Sequence, residues 1–166
     1  GFIEETGAAQ YYRDARILPI YEGTNGIQAI DLIGRKLGLE GGEVVQRFLA
    51  EARQTAAECE RGNDAILSIG KELSRAVKAA ESATAWLQQR MRTAPNDALP
   101  GASPYLRMMG TMAGGHYLAL GALAAATRLA RREGDEIFMR TRVAVAQFFA
   151  EQLLPQAEGL LGPTTR

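Results

Sequence analysis

The residues best able to do chemistry lie close to the N-terminus, in the run Ile20-Tyr21-Glu22-Gly23-Thr24-Asn25-Gly26. Glu22 is a carboxylate preceded by two apolar side chains and followed by a glycine. A carboxylate held against apolar surface has its charged form desolvated, and its pKa rises toward the range a general base needs. Gly23 has no Cβ to hold a ligand away from the backbone. Thr24, Asn25 and Gly26 then open a helix, and the first amides of a helix have no carbonyl partner, so they can receive a phosphate or a polarised carbonyl oxygen. Proton abstraction by Glu22 is the chemistry this pattern suggests. The plainer alternative is a helix–helix turn whose glutamate faces water.

Two helices must position that loop. The first is predicted over residues 4–17, ending where Leu18-Pro19 forbids continuation. The second runs from a Thr24 or Asn25 cap through Lys36, with Ile27, Ile30, Leu32 and Ile33 as its apolar stripe. Residues 38–42, glycine-rich, read as a linker between two units, 1–37 and 41–162. Beyond it four helices are predicted. They cover 43–61, 65–93 with Asp64 as cap, 104–132 with Ser103 as cap after a proline-rich loop over 95–104, and 135–161, kinked or ended by Pro155. Val44, Phe48 and Ala52, with Leu49 alongside, form the apolar face of the first of these, and Ile137, Phe138, Val145, Phe148, Phe149 and Leu153 in the last are expected to face a core. Short connections make neighbours antiparallel, so the expected fold class is all-α, a four-helix bundle preceded by two helices.

Composition excludes several classes. Lys plus Arg equals Asp plus Glu at 19 each, which argues against a nucleic-acid partner, whose binding needs a positive surface. The longest apolar stretch, residues 118–126, falls short of the roughly 20 residues of a membrane span. With one cysteine, Cys59, no internal disulfide forms, and a cytoplasmic protein is expected. Glu58 and Glu60 should raise the Cys59 thiol pKa, so a reactive thiol is not expected. The single histidine, His116, reads as a satisfied core or interface residue, and no metal site is expected. The small residues between Gly110 and Ala126 imply close helix packing. The chain opens Gly1-Phe2-Ile3 without a methionine, as a segment of a longer polypeptide would.

Residues 5–37 resemble the segment that closes the catalytic core of acyl-CoA dehydrogenases. The resemblance rests on Arg13-Asp14-Ala15-Arg16-Ile17, then Ile20-Tyr21-Glu22-Gly23-Thr24, then Ile27-Gln28. It implies that the first two helices belong to the end of that family's catalytic domain. It also implies that Glu22 is the base taking the pro-R proton from Cα of an acyl thioester, while the Cβ hydrogen leaves as hydride to FAD, giving a trans-2-enoyl-CoA as in fatty-acid β-oxidation. Gly23 would then lie against substrate, and Thr24, Asn25 and Gly26 would contact FAD. The residues from about 41 onward, with Ser103-Pro104-Tyr105-Leu106-Arg107-Met108 as local marker, resemble the extra C-terminal helical domain of a bacterial subgroup of the family. His116 stands where that subgroup suggests tryptophan. Implied partners of the whole enzyme are an acyl-CoA, electron-transfer flavoprotein and further copies in a homo-oligomer. The 166 residues alone are expected neither to keep FAD nor to turn over substrate. A non-catalytic helical interaction or dimerisation module is the alternative.

Overall fold

A computed structural model of the chain describes residues 4–21 and 24–166, all-α as the periodicity predicts and without a strand among them. The α-helices are α1 (Ala8–Ile17), α2 (Asn25–Gly34), α3 (Glu43–Cys59), α4 (Asp64–Thr93), α5 (Pro95–Ala98), α6 (Ala102–Arg131), α7 (Glu136–Gln152), α8 (Pro155–Gly159) and α9 (Leu161–Thr165). Short 3-10 turns occupy Glu4–Thr6, Lys36–Gly42 and Leu99–Gly101. Helices α3, α4, α6 and α7 form the bundle, with α4 packed against the other three.

Contacts across each hairpin fix the helix directions. Arg53 meets Glu81, and Ser74 Oγ donates to Glu60 at 2.6 Å, so α3 and α4 run antiparallel. Phe149 lies over Gly114 and Arg142 over Gly121, so α6 and α7 do too. The core is the predicted stripe of α4, Ile66, Ile69, Leu73, Val77, Ala80 and Leu87, joined by Leu49 of α3 and by Tyr105, Met108 and Met112 of α6. One buried polar pair ties α4 to α6: Thr84 and Tyr105 share a hydroxyl hydrogen bond of 2.7 Å, and Thr84 also donates to the Ala80 carbonyl at 2.6 Å. Burial pushes the Tyr105 phenol up to about 12, against the opposing pull of that bond, so it stays neutral.

Several local expectations change. Asn63, not Asp64, caps α4: it stays extended and its Oδ1 accepts the Ile66 amide at 3.3 Å, which places Asp64 in the first turn where its charge suits the helix dipole. The expected loop over 95–104 is largely helical, and α6 starts at Ala102 with no side-chain cap from Ser103. Its prolines explain this. Pro95, Pro100 and Pro104 all sit in first turns, where a missing N–H removes no helical bond. The buried stripe of α3 is Val45, Leu49, Ala52, Ala56 and Cys59, a cleaner helical spacing than one through Val44, which is exposed. On α7 the expectation fails more broadly. Met139, Ala146 and Ala150 face the core, while Ile137, Phe138, Val145 and Phe148 face out, Ile137 being 78% and Phe148 64% exposed. The regular part of the last predicted helix does end before Pro155, as expected: α7 is capped at Leu153, and Pro155 starts the short α8.

The predicted linker is a folded turn. Glu40, Gly41 and Gly42 take left-handed backbone (φ 50, 68 and 100), which the two glycines adopt without a Cβ penalty. Gln88 of α4 donates to the Leu37 carbonyl at 3.1 Å and Arg47 to Glu40 at 2.8 Å. Ala29, Ile33 and Leu37 belong to the same buried cluster as Val45 and Leu49, so the core continues across this turn into α2.

Candidate functional site

Glu22 and Gly23, the predicted base and its substrate-facing neighbour, lie outside the described residues. What the structure gives is the frame on both sides of them. On the N-terminal side, the Ile20 and Tyr21 amides both donate to the Ile17 carbonyl, at 3.1 and 3.0 Å, closing α1 in a tight turn. Pro19, without an N–H, makes the helix stop there. On the other side Thr24 is extended (φ −70, ψ 162) and occupies the N-cap of α2, as one of the two predicted alternatives had it. Its carbonyl accepts the Gln28 amide at 3.0 Å, and its hydroxyl makes no capping bond.

Asn25 and Gly26 form the first turn of α2 and both are exposed. Their amides have no carbonyl within the helix, and the first turn contains no acidic residue to compensate the positive end of the dipole. A Cβ placed on Gly26 would meet only Thr24 Oγ1 at 3.8 Å, so the backbone here is open to approach. The exposed backbone amides of this turn can therefore donate to an electron-rich partner. The other end of α2 is locked. Arg35 donates to both oxygens of Asp31, at 2.7 and 3.0 Å, and Lys36 lies 3.3 Å away. The Arg35 guanidinium, ahead of Lys36, holds the Asp31 carboxyl below its usual range despite some desolvation.

The surroundings of the loop are apolar and uncovered. Ile20 and Tyr21, the side chains expected to keep water from Glu22, are 67% and 52% exposed. Tyr11, Tyr12, Ile17 and Leu18 on the α1 side and Ile27 and Ile30 on α2 are exposed as well. Of α1 only Ala9 is buried, whereas α2 is anchored to α6 through the face that carries Ala29 and Ile33. An apolar surface of this extent marks a site of contact with further protein or ligand.

Elsewhere, His116 departs from the satisfied residue that was expected. It is 3% exposed on α6, edge-on to Phe48 at 5.8 Å and tilted against Tyr117 at 4.9 Å, and its Nδ1 has no hydrogen-bond partner. Burial lowers its pKa, with the charge of Glu51 opposing. An imidazole among alanines, glycines and methionines was the only sequence signal of this frustration. Cys59 matches its expectation: burial first, then Glu58 and Glu60, push its thiol up to about 11. Among the described residues no cluster of His, Cys, Asp or Glu could hold a metal ion, and no helix is long and apolar enough to cross a membrane. A cleft of about 880 Å³ between the ends of α4, α6 and α7 lies away from the loop, and its Arg140 is already paired with Glu136 at 2.8 Å.

Residues 48–163 match the family described as acetyl-CoA dehydrogenase C-terminal like. The chain is 45% identical over 154 residues to a 3-methylmercaptopropionyl-CoA dehydrogenase of Ruegeria pomeroyi, a match covering 93% of this chain and 26% of that protein. It is 31% identical over 163 residues to the broad-specificity linear acyl-CoA dehydrogenase FadE5 of Mycobacterium tuberculosis, again 93% of this chain and 26% of the relative. A butyryl-CoA dehydrogenase of Syntrophomonas wolfei is 27% identical over 164 residues, 97% of this chain and 27% of its own. The chain thus spans about a quarter of the length of these relatives. A helical domain matched from α3 into α9, on which the α2 frame of the Glu22 loop is seated, makes this chain a member of the acyl-CoA dehydrogenase family that carries its C-terminal domain.

Proposed function

We propose that this chain is the C-terminal part of an FAD-dependent acyl-CoA dehydrogenase, with Glu22 as the base that takes the α-proton of the acyl thioester. Residues 1–37 then complete the catalytic domain, and residues 41–162 form the appended bundle. The observation that carries the reading is the frame around residues 22–23. Open apolar side chains line it on both sides, and an acid-free helix start follows it.

In this reading the remaining domains cover Ile20, Tyr21 and Ile27 and expel water from the loop. Desolvation then raises the Glu22 carboxylate toward the pKa that proton abstraction from carbon needs. Glu22 forms an O–H bond as the Cα–H bond breaks, and Gly23 leaves room for the acyl chain beside it. FAD, when bound, supplies the acceptor for the hydride that leaves Cβ, so the pair of losses leaves a trans C2–C3 double bond. Thr24, Asn25 and Gly26 would hold the flavin through the start of α2. Electron-transfer flavoprotein would be the partner of the whole enzyme that receives its electrons. Ile20, Tyr21 and Ile27 are exposed in the 166 residues alone, and we infer that these neither retain FAD nor oxidise acyl-CoA.

The test is the protein expressed from its complete reading frame. It should purify yellow and lose its flavin absorbance when mixed anaerobically with a saturated acyl-CoA. A colourless protein, or a flavin unaffected by every acyl-CoA from propionyl to long-chain, would overturn the reading. A second role for the bundle, as an interaction module, is favoured by the apolar residues that α7 turns away from the core.

A further inference from the structure

Of the two helices that flank residues 22 and 23, α2 joins the buried core and α1 does not. Helix α1 buries a single residue, Ala9, whereas α2 sets Ala29 and Ile33 against α6 and leads into a turn that buries Leu37. Those three side chains share one core with Val45 and Leu49 of α3 and Leu87 of α4. The helix that follows the proposed base is therefore seated on residues from beyond the 38–42 turn. The bundle sets its direction.

One polar contact fixes the far end of that seat. Gln88 Nε2 of α4 donates to the Leu37 carbonyl at 3.1 Å, across 51 residues of sequence. A carbonyl accepts only a donor, so the amide nitrogen must face it. Gln88 also lies close over Gly42, whose backbone is left-handed (φ 100) and where a Cβ would come within 2.6 Å of the same nitrogen. Beside the contact is a cleft of about 350 Å³ lined by Ile33, Leu37, Gly38, Gln88 and Met91. Apolar packing does not fill this joint, and the Gln88 amide bridges it.

The length of α2 says how far a fault at the joint is felt. Its ten residues rise about 15 Å, so a tilt of about 4° at the joint moves its start by about 1 Å. A misplacement of about 1 Å at the reacting groups can cost on the order of 100-fold in rate, even when its cause lies far from the chemistry.

We propose that Gln88 is a positioning residue for the dehydrogenation. By holding the Leu37 carbonyl it sets the tilt of α2 and, through α2, where the Glu22 carboxylate meets Cα of the substrate. Gln88 itself touches neither substrate nor flavin. The inference rests on the reading of Glu22 as the base, and it gives the appended bundle a part in the chemical step.

Rapid anaerobic mixing of the complete enzyme with a saturated acyl-CoA, with rates taken per bound flavin, tests it. Gln88→Leu keeps a side chain over Gly42 and removes the donor. It should bind flavin and hold its KM within about twofold of wild type, while flavin reduction slows about 10- to 100-fold. Gly70→Ala, whose new Cβ would press on Ala56 and Cys59 nearer the other end of α4, loses stability through a separate fault and should reduce its flavin at the wild-type rate. A wild-type rate in Gln88→Leu, a raised KM at unchanged rate, or equal slowing in Gly70→Ala overturns the proposal. Glu22→Gln in the same assay separates the two claims. If it is slowed while Gln88→Leu is not, the base stands and only the positioning role falls. Should Gln88→Leu lose its flavin, Ile33→Val decides, since it removes one buried methyl group from the same seat: slowing of about threefold or more supports the proposal, and a wild-type rate overturns it.

Discussion

The same substitution at two glycines should move stability in opposite directions, and the contrast tests how closely α3 packs on α4. Gly70 and Gly110 both lie inside thirty-residue helices, α4 and α6. Replacing glycine by alanine in a helix interior gains about 1 kcal/mol of propensity at either position. At Gly110 a new Cβ meets nothing within 4 Å, so the gain stands alone. At Gly70 it would lie 2.7 Å from the Glu60 amide nitrogen, 2.8 Å from the Ala56 carbonyl oxygen and 2.9 Å from Cys59 Cβ. Two of those atoms are backbone and cannot rotate away, so α3 must be pushed off α4. Overpacking of this kind costs about 3 kcal/mol at the upper end of its usual range, leaving Gly70→Ala about 2 kcal/mol less stable. For a chain of this size, about 2–4 °C per kcal/mol puts its melting temperature about 4–8 °C below wild type and that of Gly110→Ala about 2–4 °C above. Calorimetry on the two variants measures the difference. A neutral or stabilised Gly70→Ala would show that α3 and α4 do not approach as closely as described.

Two further outcomes follow from buried titratable groups. The folded pKa of His116 is lowered from 6.5, so the unfolded chain takes up the proton first and stability falls as pH drops below that value. Denaturant midpoints of the wild type should therefore decline more between pH 6.5 and about 5 than those of His116→Phe, which keeps the ring contacts and removes the unpaired nitrogen; equal declines would contradict this. With its thiol pushed up to about 11 and its side chain buried, Cys59 should react with iodoacetamide at pH 8 through only about one part in a thousand of thiolate. Denaturant should speed the labelling sharply, and fast labelling of the folded chain would show that α3 opens at its end.

The long, regular parts of the fold were legible because one face alone was apolar. Ile66, Ile69, Leu73, Val77 and Leu87 of α4 could only point inward, and they do. Helix α7 defeats that logic, since it is apolar on two faces. The bulky residues suggested the core side, yet Met139, Ala146 and Ala150 take it, and Ile137, Phe138, Val145 and Phe148 turn outward. Pro95 and Pro100 read as loop formers, but each sits in a first turn, where a helix tolerates one. At the candidate site the order of residues was readable and their environment was not. Tyr21 and Ile20 look like a water-excluding wall in sequence, whereas in the structure both are exposed, since apolar type alone does not say what packs against a side chain. The unpaired Nδ1 of His116 was equally invisible, since it depends on which neighbours α3 brings against α6.

The role of Glu22 is most directly decided by rapid anaerobic mixing of the complete enzyme with its acyl-CoA, following the flavin absorbance in wild type and in Glu22→Gln. The account predicts that the variant binds flavin and substrate as wild type does, while its rate of flavin reduction falls by about 10²–10⁴-fold, the span a positioned general base contributes. An amide variant that reduces its flavin at the wild-type rate would contradict the assignment of Glu22 as the base.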